Sequence, residues 1–208
     1  MKKFFTIAIL TASLLFAGQV SAQHIHAGYS PENCGFARGY HINSFFLGAD
    51  YNIPVIDNLN LSIGGQLRYG TETSNFNYTG LVGTGILPQH TMTLFGIDVP
   101  LLFNYTIHPS SQLGFTLFAG PKFSYTFIGK TIFEGSFEKF DDEWFSDEYT
   151  WYNIYLKPFN VSATFGLSIG FQQFQLFGGY NYGLFNINKY DNTSRKTSGP
   201  FVGIGLDL

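Results

Sequence analysis

Cysteine, charge and long hydrophobic runs are all scarce in these 208 residues. The single cysteine, Cys34, excludes an internal disulfide framework. Charged residues make up 12% of the chain. That is about half the ~25% usual in soluble domains, too little to hydrate an ordinary globular surface. Basic residues number 11 against 14 acidic ones, and neither a basic patch nor a Gly-rich phosphate loop occurs. Nucleic acid is therefore not an expected partner. Beyond residue 22 no apolar stretch reaches the ~20 residues that a membrane helix needs. What is present is an unusual load of 24 Phe, 24 Gly and 13 Tyr in a chain that is 45% hydrophobic. So much apolar surface excludes intrinsic disorder.

The first 22 residues read as a secretory signal. Lys2 and Lys3 precede the apolar run from Phe4 to Ala17, and Val20-Ser21-Ala22 supplies small residues for cleavage. Residues 1–22 are expected to be removed, leaving 23–208 as one barrel domain. No cysteine follows the run, so a lipoprotein is not expected.

In the remainder, apolar and polar residues alternate with a period of two, the mark of a strand with one greasy face. From Leu59 the chain places Leu59, Leu61, Ile63, Leu67 and Tyr69 on one side and Asn60, Ser62, Gln66 and Arg68 on the other. The pattern recurs from Phe45, Phe95, Leu113, Phe159, Phe174 and Val202, and more weakly over His24 to Ser30, with Ile25, Ala27 and Tyr29 outward. Short breaks at 54–58, 108–112 and 172–173 alternate with long ones near 71–89, 127–150 and 188–199. Short periplasmic turns and long outer loops have this rhythm. The expected fold is all-β, an eight-stranded antiparallel up-and-down transmembrane β-barrel. A soluble barrel would need charge on its outer face. Here the non-apolar face is mostly Gly, Ser, Thr, Asn and Gln, which suits a narrow lumen, so the apolar face is expected in lipid.

Symmetric hairpins would pair Ile53 with Leu59, Tyr51 with Leu61, Ile107 with Leu113, Tyr105 with Phe115, and Phe171 with Phe174. Each pairing keeps apolar residues on one face. The middle hairpin would also set Asp98 opposite Lys122, both inward. With Arg68 on the next strand, these charges are expected to plug the lumen, with Asp50 and Asp207 nearer its periplasmic end. Eight strands leave an interior that side chains just fill, which favours a plug over an open pore. Pro100 and Pro121 suggest a bulge at that level, because neither can donate to a ladder. Tyr69, Tyr105, Tyr125, Trp151, Tyr152, Tyr155 and Tyr182 are expected as anchors at headgroup level.

The stretch 127–150 is expected as an outer loop. It holds Glu134, Glu138, Asp141, Asp142, Glu143, Asp147 and Glu148 against Lys130 and Lys139, a net charge of −5. Without Lys2 and Lys3 the chain as a whole also carries −5, so the excess charge sits in this one segment. Together with Phe133, Phe137, Phe140, Trp144 and Phe145 it is the candidate docking surface for another envelope or extracellular protein. Its spacing does not match an EF-hand.

Candidate catalytic pairs are His41 with Ser44, His90 near Thr91, and His108 with Ser110. None has a carboxylate placed to orient the imidazole, so no enzyme activity and no cofactor are expected. His24 and His26 share a strand face, but two imidazoles alone are a weak metal signal, and no metal site is expected.

The segments Ile97-Asp98-Val99-Pro100-Leu101-Leu102-Phe103-Asn104-Tyr105, Gly114 to Tyr125 with Ala119-Gly120-Pro121, Gly166 to Phe171, and Gly179-Tyr180-Asn181-Tyr182-Gly183-Leu184-Phe185-Asn186-Ile187 resemble, in order and spacing, the PorT-type outer-membrane β-barrels. The resemblance implies an eight-stranded barrel in the outer membrane of a Gram-negative cell, in a family with one branch serving protein secretion; a monomer is expected. It supplies no catalytic residue. A lipid-modifying acyltransferase or deacylase and a narrow channel are the alternative functions.

Overall fold

The computed structural model describes residues 24–33, 41–75, 89–136, 144–149, 157–187 and 196–208. Among these are nine strands: β1 (His24–Asn33), β2 (His41–Ile56), β3 (Leu59–Asn75), β4 (Gln89–Ile107), β5 (Leu113–Ser136), β6 (Trp144–Tyr149), β7 (Phe159–Phe171), β8 (Phe174–Gly183) and β9 (Ser198–Asp207). All neighbours are antiparallel. Pairing of β1 with β9 and of β4 with β5 closes the sheet into an eight-staved barrel. The ninth strand adds no stave. β6 and β7 pair with successive stretches of β5, so β6 continues the stave of β7.

The greasy face looks outward along every stave. Leu47, Leu67, Phe103, Leu117, Leu167, Leu176 and Ile204 are exposed, whereas Ser44, Ser62, Ser124, Ser162 and Ser168 are buried inside. Exposed leucine and phenylalanine over a whole barrel wall are stable only where the solvent is lipid. Tyr69, Tyr105, Tyr125 and Tyr182 are also exposed. Trp151, Tyr152 and Tyr155 lie outside the described residues, as do residues 1–22.

The register differs from the symmetric expectation at two of three hairpins. Phe171 does pair with Phe174, and Ile169 with Leu176. Ile53, however, pairs with Leu61 and Tyr51 with Ile63, because β2 runs on through Pro54 to Ile56 with a bulge between them, and only Asp57 and Asn58 form the turn. Asn58 takes the left-handed conformation (φ 64°) that such a tight turn demands. In the β4–β5 hairpin Ile107 pairs with Phe115 and Tyr105 with Leu117. Ser110 Oγ accepts hydrogen bonds from the backbone N–H of Leu113 and of Gln112 at 3.2 and 3.4 Å, which ties the turn to one side. Both shifts are by two residues, so every side chain keeps its face. The expected bulge at Pro100 and Pro121 does not occur. The ladder skips a step there without changing register, and the bulge lies higher, at Phe95 and Gly96.

The 127–150 stretch is for the most part strand, not loop. β5 continues through residues 127–136, paired with β4 as far as Gln89 opposite Glu134, and then pairs with β6 from Thr131 opposite Tyr149 to Ser136 opposite Trp144. Aromatic and β-branched residues such as Phe127, Ile128, Thr131, Ile132 and Phe133 favour this extended backbone. Glu138, Asp141, Asp142 and Glu143 lie outside the described residues. β5 runs 11 residues beyond Tyr125, its last residue paired with β7, roughly 35 Å along the strand.

Candidate functional site

Inward residues of β1, β3, β4 and β5 meet in a buried charge cluster. Arg68 Nε lies 3.3 Å from Asp98 Oδ1, and Lys122 Nζ lies 3.7 Å from Asp98 Oδ2. The expected trio is therefore assembled, though not by direct pairing. Asp98 stands opposite Ser124, and Lys122 opposite Pro100. Lysine's four-carbon stem covers the one-step diagonal. A fourth member completes the cluster: Glu32 approaches Arg68 Nη1 and Lys122 Nζ, each at 3.9 Å. Arg68 also donates to Thr126 Oγ1 at 3.3 Å. Two cations and two anions, all buried, give zero net charge, the condition under which such a group is tolerable away from water.

Glu32 was missed because Pro31 reads as a strand breaker. β1 nevertheless runs to Asn33. Its ladder to β9 is interrupted between Tyr29 and Asn33, where Pro31 has no N–H to give, and Ser30 Oγ instead donates to the Pro200 carbonyl at 3.2 Å. The register is the same on both sides of the interruption, so Glu32 keeps the inward face that alternation from His24 gives it.

The lumen is less polar than its alternating sequence implies. Phe46, Phe118, Phe177 and Phe201 point inward, with neighbouring ring centroids 6.1 to 6.3 Å apart. Glycines on adjacent strands make room for them. A Cβ at Gly28, Gly166, Gly179 or Gly203 would strike the ring of Phe46, Phe118, Phe201 or Phe177 respectively. The charge cluster borders two cavities, one of about 110 Å³ towards the turns and one of about 20 Å³ on the outer side. Glu32, Arg68 and Lys122 line both. They therefore stand between them as a plug.

A closed eight-staved barrel with a lipid-facing wall and a packed lumen matches the family model described as the outer membrane protein beta-barrel domain, over residues 17–189. The chain belongs to this family.

Membership places this outer-membrane barrel in the bacterial outer membrane. Its fold is similar to the crystal structure of Ail, the attachment invasion locus protein of Yersinia pestis, at 12% identity and TM-score 0.43, covering 89% of this chain and 95% of that one. Neisserial surface protein A is similar at 12% identity and TM-score 0.44, over 89% and 95% of the two chains. The outer membrane enzyme PagL is similar at 7% identity and TM-score 0.45, over 89% and 99%. No curated protein matches the chain.

Towards the turn end of the outer-membrane barrel lies a second cluster. Asp50 on β2 stands directly opposite His24 on β1. Its Oδ2 is 3.3 Å from His24 Nδ1 and 3.1 Å from His26 Nδ1. The pair of imidazoles thus has a carboxylate beside it that the sequence did not reveal, because β1 and β2 are joined in register by pairings no single strand pattern discloses. Among the described residues these three have potential ligand atoms within 4.8 Å of one another. Asp207 is the backbone partner of His24 on β9, exposed at the barrel end.

The remaining candidates separate by position. Glu134, Trp144, Phe145, Asp147 and Glu148 occupy backbone positions on β5 and β6 in the ribbon beyond the wall. Ser44 is buried on β2, while the side chains of His41 and His90 lie outside the described residues. Ser110 serves the turn beside His108.

Proposed function

We propose that this outer-membrane barrel works through its outer ribbon, as a non-enzymatic surface-interaction or secretion-accessory protein whose lumen stays closed. The observation that carries the reading is the ribbon itself. Strands β5 and β6 stay paired beyond the last β5–β7 pair, in the segment 127–150 that holds the chain's excess negative charge together with seven aromatic residues. A paired ribbon pre-orders its backbone, so a partner meets it without the ordering cost of a free loop. A partner with a basic rim and an apolar centre fits this composition. The resemblance to PorT-type barrels favours a secretion component as that partner.

Photo-crosslinking tests the reading in intact cells. A benzophenone amino acid at position 145 is expected to give one discrete adduct, lost when Glu134, Asp147 and Glu148 of the same ribbon are replaced by lysine although the barrel still inserts. An adduct unchanged by that charge reversal, or a uniform smear that matches labels placed on the lipid face, would contradict it. An adduct to an envelope component supports the secretion role, and an adduct only to added extracellular protein supports surface interaction.

A further inference from the structure

His24 and His26 are adjacent inward positions of β1, and their rings stack with centroids 5.4 Å apart. Both are buried, at 7% and 4% exposure. A buried imidazole normally satisfies both ring nitrogens, yet His24 Nε2, His26 Nδ1 and Asp50 Oδ1 have no hydrogen-bond partner. His26 Nδ1 lies 3.1 Å from Asp50 Oδ2, in ion-pair range of the carboxylate that also faces His24. Two atoms bound to one tetrahedral Zn²⁺ at about 2.0–2.1 Å stand about 3.3 Å apart. The separations of Asp50 Oδ2 from the two Nδ1 atoms, 3.3 and 3.1 Å, are of that size.

The wall is shaped around these three side chains. A Cβ on Gly205 would strike His24 Nε2, one on Gly64 would strike Asp50 Oδ1, and one on Gly48 would lie 2.7 Å from His26 Nε2. Behind His26, the Gln66 amide lies 2.9 Å from Nε2. Turned so that its carbonyl oxygen faces that nitrogen, the amide holds the proton on Nε2 and leaves the Nδ1 lone pair for a ligand. Metal-bound histidines are oriented by partners of this kind. The site opens on the 110 Å³ cavity, which reaches Asn52, Asn104 and Asp207 at the periplasmic turns, so an ion has a route in and a water has space for the fourth position.

We propose that His24, His26 and Asp50 bind a divalent cation of the zinc class in the periplasmic half of the lumen, with Gln66 as a positioning residue. Two neutral imidazoles and one carboxylate suit Zn²⁺, Co²⁺ or Ni²⁺ better than Ca²⁺ or Mg²⁺, which prefer all-oxygen sets. The Asp50 charge, with Asp207 across from His24, balances the charge of such an ion. Bound there, the cation joins β1 to β2 at the end of the first strand. The site lies apart from the outer ribbon and is independent of its role.

The test uses folded full-length barrel purified in detergent without a histidine tag and stripped with chelator. Titration calorimetry with Zn²⁺ is expected to give one site per barrel, and Co²⁺ the intense visible absorption of a four-coordinate N/O site. Asp50→Asn, which keeps the shape, and His26→Gln should each weaken Zn²⁺ binding at least tenfold. Gln66→Leu should weaken it by roughly 10–100-fold through the His26 tautomer. Each variant is first checked for the faster gel migration of an unheated closed barrel. Should His26→Gln fail that check, Asp50→Asn and Gln66→Leu carry the decision. Absence of a one-to-one Zn²⁺ site in the wild-type barrel, or equal binding by folded Asp50→Asn, overturns the proposal. Equal affinity for Mg²⁺ and Zn²⁺ overturns it as well.

Discussion

Replacing Asp98 by asparagine removes one of two negative charges from a cluster whose four members are all at most 7% exposed. Among the described residues Arg68 and Lys122 then share Glu32 as their one carboxylate, and it reaches each of them at only 3.9 Å. At an effective dielectric of about 20, the contacts that Asp98 makes at 3.3 and 3.7 Å are each worth roughly 4–5 kcal/mol before desolvation is counted. Hydration regained by the freed groups offsets much of this, and breaking a buried pair costs about 3–5 kcal/mol net. Because the cluster borders a cavity that water can enter, the lower end, about 3 kcal/mol, is expected for Asp98→Asn. The double variant Asp98→Asn with Lys122→Met leaves Arg68 facing Glu32 in a neutral pair. It should be about 1–2 kcal/mol less damaged than Asp98→Asn alone, a coupling of the size found between contacting residues. Urea unfolding of the folded barrel in lipid vesicles, followed by circular dichroism of the strand band, measures both. A loss below 1 kcal/mol for the single variant, or a double variant less stable than the single one, would refute the plug.

The glycine packing makes a paired prediction. Gly166→Ala sets a Cβ against the Gly178 carbonyl and 2.5 Å from Phe118 Cζ and should cost roughly 1–3 kcal/mol. Gly65→Ala, with nothing within 4 Å of the new Cβ, should be close to neutral in the same urea assay. Gln172 holds a left-handed turn conformation at φ 54°, so Gln172→Gly is expected to raise stability by about 0.5–1 kcal/mol, and a loss would count against the tight β7–β8 turn. Planar-bilayer recordings should show no stable conductance for the wild-type barrel, and a discrete open level would remove the closed-lumen reading.

What the residue pattern could disclose follows from its period. Alternation of two decides the face of every residue, so the lipid-facing wall, the inward Arg68, Asp98 and Lys122, and the eight staves were all legible. It is unchanged by a slip of two, so partners were legible only where the turn was unambiguous. At Gln172 and Gln173 no residue is left over, and Phe171 met Phe174 as expected. At Pro54 to Asn58 the proline disguised a continuing strand, and the true turn is two residues long. Pro31 misled in the same way and hid Glu32. The His24, His26 and Asp50 cluster was hidden for a different reason. Its members lie on neighbouring strands with a glycine packed against each, and glycine on an inward face reads as mere small filling until the side chain above it is seen.

The most direct test of a lipid-facing wall around a packed lumen is a spin-label scan of residues 165, 167, 168 and 169 on β7, one label at a time, with Cys34 replaced by serine. Phe165, Leu167 and Ile169 are exposed and Ser168 is buried. Labels at 165, 167 and 169 should collide readily with oxygen dissolved in the bilayer and scarcely with a water-soluble nickel chelate, while a label at 168 should be shielded from both. High nickel access at 165, 167 and 169, or oxygen access without a period of two, would contradict the barrel as described.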